Sequence, residues 1–382
     1  MNFPLRNTFN YLYKKTDIVF LAASFVFLII RFFRFILTYS ENLLYWDQWS
    51  IADLILDKKN LFELFLTQHN VHRIGTGLII TKFLANLSHW NNYYETFTIG
   101  IMISLSCIIA FLLKKKLTRA VSCFDIIIFL LFFNLGQWRN LVWGFQIAFV
   151  LPILFITLAS LLFTQHFSLK RNIFLILLSF FSTYSSFHGS FLPIITTLFL
   201  TIEGFHKKKL KRNIKYIHTN ILIFLSYFIG YKPTKDLKEI YPLLSYIQHA
   251  IFQTNNIIGY KKWGLFLFLI PLIFLLSFIL EIYRLIKLKN IYTSFPILSL
   301  QFFSFMFVIS TAAGRVRIGL LQGTTSRYIT TMIPLYLSLY LIMSLINNRR
   351  LYRVLLILFL AILTYSFGLN EPTWHRKAQN FK

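Results

Sequence analysis

The run IVFLAASFVFLIIRFFRFILTY, residues 18–39, decides the fold, because it is apolar over the length that a helix needs to cross hydrocarbon. Lys14 and Lys15 precede it, and no small-residue cleavage site closes its far end, so it reads as an uncleaved anchor. Ten similar runs follow: Tyr94 to Leu113, Phe124 to Gly136, Leu141 to Phe163, Ile173 to Phe187, Phe191 to Ile202, Ile217 to Gly230, Trp263 to Leu280, Phe295 to Ala312, Ile329 to Ile346 and Val354 to Leu369. The pattern predicts an all-α integral membrane protein of about 11 transmembrane helices in one polytopic domain over residues 1–382.

Composition agrees. The 382 residues are 57% hydrophobic and 14% charged, where a soluble globule carries about 25% charge. The net charge of +26 is scattered over short turns with no module that reads bases, so nucleic acid is not an expected partner and membrane lipids are. The basic clusters Lys114 to Arg119, Lys170-Arg171, Lys207 to Arg212, Arg284 to Lys289 and Arg349-Arg350 alternate to one side, which the positive-inside rule makes cytoplasmic together with the N-terminus. Asp17, Asp125, Glu203 and Glu281 sit near the same ends and read as boundary residues. Cys107 and Cys123 fall outside the outer loops, so no disulfide framework is expected.

The outer side then holds two long loops, residues 40–93 and 231–262. In the first, Ile51, Leu54 and Ile55, then Leu61, Leu64 and Phe65, have the spacing of short amphipathic helices lying on the interface. Asp53 and Asp57 share a helix face there, as a solvated edge rather than a paired-carboxylate site. A helix from about Ile74 to His89 carries Lys82 and reads as peripheral. In the second loop, Ile240, Leu243, Leu244, Ile247 and Ile251 line one face, with His249 and Gln253 off it.

Chemistry concentrates behind the first span, in Tyr45-Trp46-Asp47-Gln48-Trp49 and Gln68-His69-Asn70-Val71-His72-Arg73. Asp47, held against the indoles of Trp46 and Trp49, is placed as a general base is, away from bulk water. His69, His72 and Arg73 offer donors to an anion or a sugar. A zinc site would want a second histidine four residues on and a third ligand nearby, and both are missing. Late in the chain, Arg315, Arg317 and Arg327, followed by Tyr328, put guanidinium groups on the side opposite the positive-inside bias, and bidentate phosphate recognition is the natural reason. Gln137 to Asn140, Trp143 to Gln146 and Ser185 to Gly189 read first as aromatic-belt or turn residues, with sugar contact as the second reading. Arg31 and Arg34 read as side chains that snorkel to head groups.

Taken together, Asp47-Gln48-Trp49, then His69-Asn70-Val71-His72-Arg73-Ile74, then Ser326-Arg327-Tyr328 resemble the polytopic glycosyltransferases of the GT-C superfamily, in particular bacterial enzymes of the O-antigen-modifying type. The resemblance implies transfer of a sugar from a polyprenyl-phosphate donor to a glycan or lipid acceptor of the cell envelope, at the outer face of the inner membrane. It makes Asp47 the base in an inverting attack. It makes Trp46, Trp49, His69, His72, Arg73, Arg315, Arg317, Arg327 and Tyr328 the substrate-binding side chains. Val71 stands where that pattern has an acid, so no metal ligand is assigned, and the use of a divalent cation is left open. An O-antigen polymerase and a lipid-linked glycan flippase are the alternatives. The first wants its arginines in one dominant late loop, the second polar groups through mid-membrane.

Overall fold

Backbone amides buried in hydrocarbon must find partners within their own segment, and the apolar runs of this chain accordingly fold as helices. The computed structural model describes residues 15–56, 60–233, 240–259, 268–288 and 290–381. The N-terminal helix α1 (Lys15–Tyr39) is followed by three short helices, α2 (Asp47–Ser50), α3 (Ala52–Leu56) and α4 (Leu61–Phe65). A two-stranded antiparallel hairpin, β1 (Gln68–His69) with β2 (His72–Arg73), leads into α5 (Gly75–Ser88) and α6 (Asn92–Thr118). Next come α7 (Ile126–Phe132), α8 (Trp138–Val142), α9 (Ile147–Phe163), α10 (Leu169–Thr183), α11 (Phe191–His206) and α12 (Leu210–Ser226). The chain ends with α13 (Leu243–Thr254), α14 (Leu269–Leu288), α15 (Ile291–Arg315), α16 (Arg327–Ser344) and α17 (Arg349–Gln379).

Every predicted apolar run contains helix, although several end in turns, and the start of the Trp263 run lies outside the described residues. Six helices among the described residues, rather than eleven, are long and apolar enough to cross a membrane: Thr16–Tyr39, Asn92–Thr118, Gly144–Phe163, Leu269–Lys287, Ile291–Ile318 and Arg350–Gln379. The other runs give shorter helices. α7 has 7 residues, because Asn134 Oδ1 accepts from the Gly136 amide and turns the chain. α10, α11 and α12 have 15, 16 and 17 residues, and α16 has 18, with none of its residues exposed. Only 22% of the apolar stretch of α1 and 17% of that of α14 is buried inside the protein, so both present continuous apolar surface outward, as a bilayer-facing ring does.

Three of the four acids read as boundary residues, Asp125, Glu203 and Glu281, are buried, whereas Asp17 is not. Lys114 Nζ lies 2.7 Å from Asp125 Oδ1 with both side chains buried, and Arg171 grips Glu203 through two N–H donors while Tyr292 OH donates to the same carboxylate at 3.1 Å. Arg284 reaches Glu281 at 2.9 Å. Charges so enclosed persist only when paired. Arg31 pairs with Glu371 on α17 rather than standing alone.

The first loop forms short helices as its spacing predicts, with Leu61 exposed rather than on their buried face. Ile51, Ile55 and Leu64 are buried against Ile74, Leu78, Trp143 and Phe145, and Asn60 caps α4 by accepting from the Phe62 and Glu63 amides at 2.8 and 2.9 Å. Asp57, Lys58 and Lys59 lie outside the described residues. α5 is not peripheral. Its first turn is buried, Thr76 donates from N and Oγ1 to the carbonyls of Tyr184 and Phe181, and a Cβ on Gly77 would stand 2.6 Å from Cβ of Ala148. In α13 the faces are reversed relative to a soluble helix: His249 and Gln253 are buried while Leu243, Leu244 and Ile247 are exposed.

Candidate functional site

Asp47 opens α2, and its position is fixed by its neighbours. Trp46 adopts φ 43°, ψ −109°, a conformation that side chains other than glycine rarely take, and it turns the chain sharply into the helix. The next residue, Gln48, is buried and donates from Nε2 to Asn92 Oδ1 (3.0 Å) and Glu95 Oε2 (2.8 Å); Trp90 Nε1 donates to the other Glu95 oxygen at 3.1 Å. Trp143 Nε1 donates to the Tyr45 carbonyl at 3.2 Å. Asp47 is thus bracketed by two anchored residues.

His69 and His72 are on strands, not a helix. In the hairpin they are direct cross-strand partners, and the turn passes through Asn70 at φ 52°. Cross-strand partners point to one face, so both rings reach the same cavity. His69 Nε2 stands 3.4 Å from Asp47 Oδ1. The Phe187 amide donates to His72 Nδ1 at 3.1 Å, which puts the His72 proton on Nε2. Burial first, then the nearby His188 and Arg315, holds the His72 pKa well below the ordinary 6.5, so it serves as a neutral donor. Tyr227 OH donates to the Val71 carbonyl at 2.6 Å, and Gln68 exchanges two hydrogen bonds with the Lys232 backbone, tying the hairpin to the chain just after α12.

The late arginines arrive from the adjoining ends of α15 and α16. Arg315 ends α15, Arg317 lies in the following turn, and Arg327 begins α16. Asn256 Nδ2 donates to the Thr325 carbonyl at 2.8 Å, and Asn140 Nδ2 donates to the Arg327 carbonyl (2.9 Å) and Thr330 Oγ1 (2.6 Å). Thr330 in turn donates to Gln137 Oε1 at 2.7 Å. The Gln137 to Asn140 stretch therefore positions Arg327. The Arg327 guanidinium lies 5.9 Å from the Trp143 ring centre.

These parts meet around one cavity of about 610 Å³, lined by Asp47, His69, His72, Arg315, Arg317, Arg327 and Tyr328, with Gln146, His188, Tyr231 and the rings of Phe145, Phe149, Phe187 and Phe307. Among the described residues Asp47 is the sole carboxylate of that lining, against three guanidinium groups. Arg327 Nε and Gln146 Nε2 are buried with no hydrogen-bond partner among the described residues. Donors left unfilled in a closed space cost free energy unless a ligand accepts from them. His188 has no such capacity: its Nε2 donates to the Phe149 carbonyl at 3.1 Å, Ser186 Oγ meets Nδ1 at 3.0 Å, and burial lowers its pKa to about 4. It is a neutral part of the wall.

Three predicted substrate contacts lie elsewhere. Arg73 is buried and donates to the carbonyls of Leu66 (2.5 Å), Tyr227 (3.2 Å) and Ile229, so its donors weld the hairpin to the end of α12. Trp46 and Trp49 are each 65% exposed and outside the cavity lining; Trp46 stacks on Tyr45. Gln146, Phe145 and Phe187 come from the stretches whose second reading in sequence is sugar contact, whereas Tyr231, Phe149 and Phe307 came without a sequence signal. Among the described residues no group of three or more His, Cys, Asp and Glu side chains is placed to share a metal ion. No family model, curated protein or solved structure matches this chain.

Proposed function

We propose that this chain is a membrane glycosyltransferase of GT-C type, moving a sugar from a polyprenyl-phosphate donor to a glycan or lipid acceptor of the bacterial cell envelope. The observation that carries the reading is the single cavity shared by Asp47 with His69 on one side and Arg315, Arg317 and Arg327 on another. A volume of about 610 Å³ suits a hexose phosphate, and the phenylalanine walls suit the first prenyl units. In this account the cavity opens on the outer face of the inner membrane, with the N-terminus cytoplasmic and the shorter helices completing about eleven passes.

The Asp47 carboxylate takes the proton of the acceptor hydroxyl, whose oxygen attacks the anomeric carbon as the bond from that carbon to the phosphate oxygen breaks. Inversion follows from attack opposite the leaving group. The departing polyprenyl phosphate gains negative charge, and preorganised guanidinium donors lower the barrier most when they meet charge that develops there. Gln146 and the Nε2 proton of His72 are neutral donors suited to sugar oxygens, which holds the ring for attack. The test is reconstitution: protein in liposomes, given a panel of polyprenyl-phosphate sugars and envelope acceptors, forms glycosylated acceptor and an equal amount of polyprenyl phosphate. Failure to release polyprenyl phosphate from every donor in the panel refutes the reading.

A further inference from the structure

At the end of the bundle away from Asp47, a second cleft of about 460 Å³ opens between the ends of three membrane-length helices. Lys116 and Arg119 come from the end of α6, Gln165 and His166 from just after α9, and Tyr292 and Thr293 from the first turn of α15. Among the described residues no carboxylate lines it. The buried acids on the elements around it are engaged: Asp125 with Lys114, Glu203 with Arg171 and the Tyr292 hydroxyl, and Glu281 with Arg284. The Tyr292 ring is itself flanked by His166 at 4.3 Å and by Lys207 Nζ at 5.6 Å, which adds positive potential on that side. Arg119 occupies a left-handed position, φ 53°, at the end of α6, where glycine or asparagine is favoured; the chain keeps a long cation there against that preference.

The surface leading to the cleft says what kind of anion reaches it. Along α6, Ile101, Leu105, Ile108 and Leu112 are 41%, 45%, 42% and 45% exposed, and their spacing continues to Lys116 at the cleft. One helix face is thus an open apolar track that ends in cations. A soluble phosphate has no use for such a track, whereas an acyl chain laid along it carries its head group to Lys116 and Arg119. We infer that this cleft is a binding site for an anionic phospholipid, with Lys116 and Arg119 holding the phosphate and the Ile101 to Leu112 stripe holding an acyl chain. The site is separate from the Asp47 cavity and does not rest on the glycosyltransferase reading. Basic pockets between membrane helices hold anionic head groups in this way.

The test uses the full chain in phosphatidylcholine nanodiscs, with phosphatidylglycerol retention read by native mass spectrometry. Wild-type protein retains phosphatidylglycerol over phosphatidylcholine, and Lys116→Gln with Arg119→Gln lowers that preference about tenfold. Lys211→Gln with Lys215→Gln removes the same charge from an exposed stretch of α12 at the same end and leaves the preference unchanged. Equal losses in both double variants overturn the site in favour of a diffuse basic surface. A separate arm adds inorganic phosphate to phosphatidylcholine discs: if it stabilises wild type as phosphatidylglycerol does, and the Lys116/Arg119 variant loses that response, the ligand is a soluble phosphate and the lipid assignment is overturned. Should the double variant fail to fold, Ile108→Gln interrupts the track without touching charge. Reduced phosphatidylglycerol retention by that variant supports the site, and retention equal to wild type overturns it.

Discussion

Gln48 donates from Nε2 to Glu95 Oε2 at 2.8 Å, so the residue that follows Asp47 in sequence is pinned to a buried carboxylate on α6. Replacing it by Leu leaves the Glu95 and Asn92 oxygens without that donor at a cost of about 1–3 kcal/mol. The expected outcome for Gln48→Leu is a lower melting temperature in detergent together with slower transfer, because the Asp47 turn loses its anchor. Unchanged stability shows that the network does not hold the turn.

Gly144 packs against the same network. A Cβ there would lie 1.8 Å from Glu95 Oε2 and 2.3 Å from Asn92 Oδ1, so Gly144→Ala costs about 1–3 kcal/mol or more through overpacking. Gly368, in the interior of α17, has nothing within 4 Å of such an atom, and Gly368→Ala gains about 0.5–1 kcal/mol from helix propensity. Chemical denaturation of the two variants side by side measures the contrast.

Arg73 and Arg327 are predicted to fail in different ways. Arg73→Leu strips the carbonyls of Leu66, Tyr227 and Ile229 of a buried donor and destabilises the protein by about 2–4 kcal/mol. Arg327→Leu removes a guanidinium whose Nε has no partner among the described residues; its stability changes by less than about 1 kcal/mol while transfer falls about 100- to 1000-fold. Melting curves and initial rates on both variants separate the two roles.

His188 gives stability a pH dependence. Its pKa is about 4 in the folded protein against 6.5 for the free side chain, so between those values the unfolded chain binds the extra proton. Its neutral form therefore contributes fully above about pH 6.5, and that contribution, about 3 kcal/mol, is lost as the pH falls toward 4. Stability of His188→Gln measured from pH 7 to pH 4 should fall less steeply than that of the wild type.

The helices were legible because hydropathy runs survive any arrangement of neighbours, and the amphipathic spacing of Ile51, Ile55 and Leu64 gave their buried face directly. How many runs reach membrane length was less legible: α7 ends where Asn134 turns the chain, a local hydrogen bond that an apolar average hides. Of the site, Asp47, His69, His72, Arg315, Arg317, Arg327 and Tyr328 converge from loops more than two hundred residues apart, and charge in unexpected places was the signal. Arg73 carried the same signal for a different reason, since a guanidinium that bonds carbonyls looks in sequence like one that awaits a phosphate. Glu95 and Gln48 could not be paired from sequence, because nothing local links residues 47 positions apart.

The most direct measurement is single-turnover transfer by Asp47→Asn, with binding of the polyprenyl-phosphate sugar followed in the same preparation. Asn keeps the size and polarity of the side chain but not its basicity. The account predicts a rate lower by about 100- to 10,000-fold with donor affinity retained, because only the proton acceptor is lost. A variant that folds, binds donor and transfers sugar at the wild-type rate contradicts it.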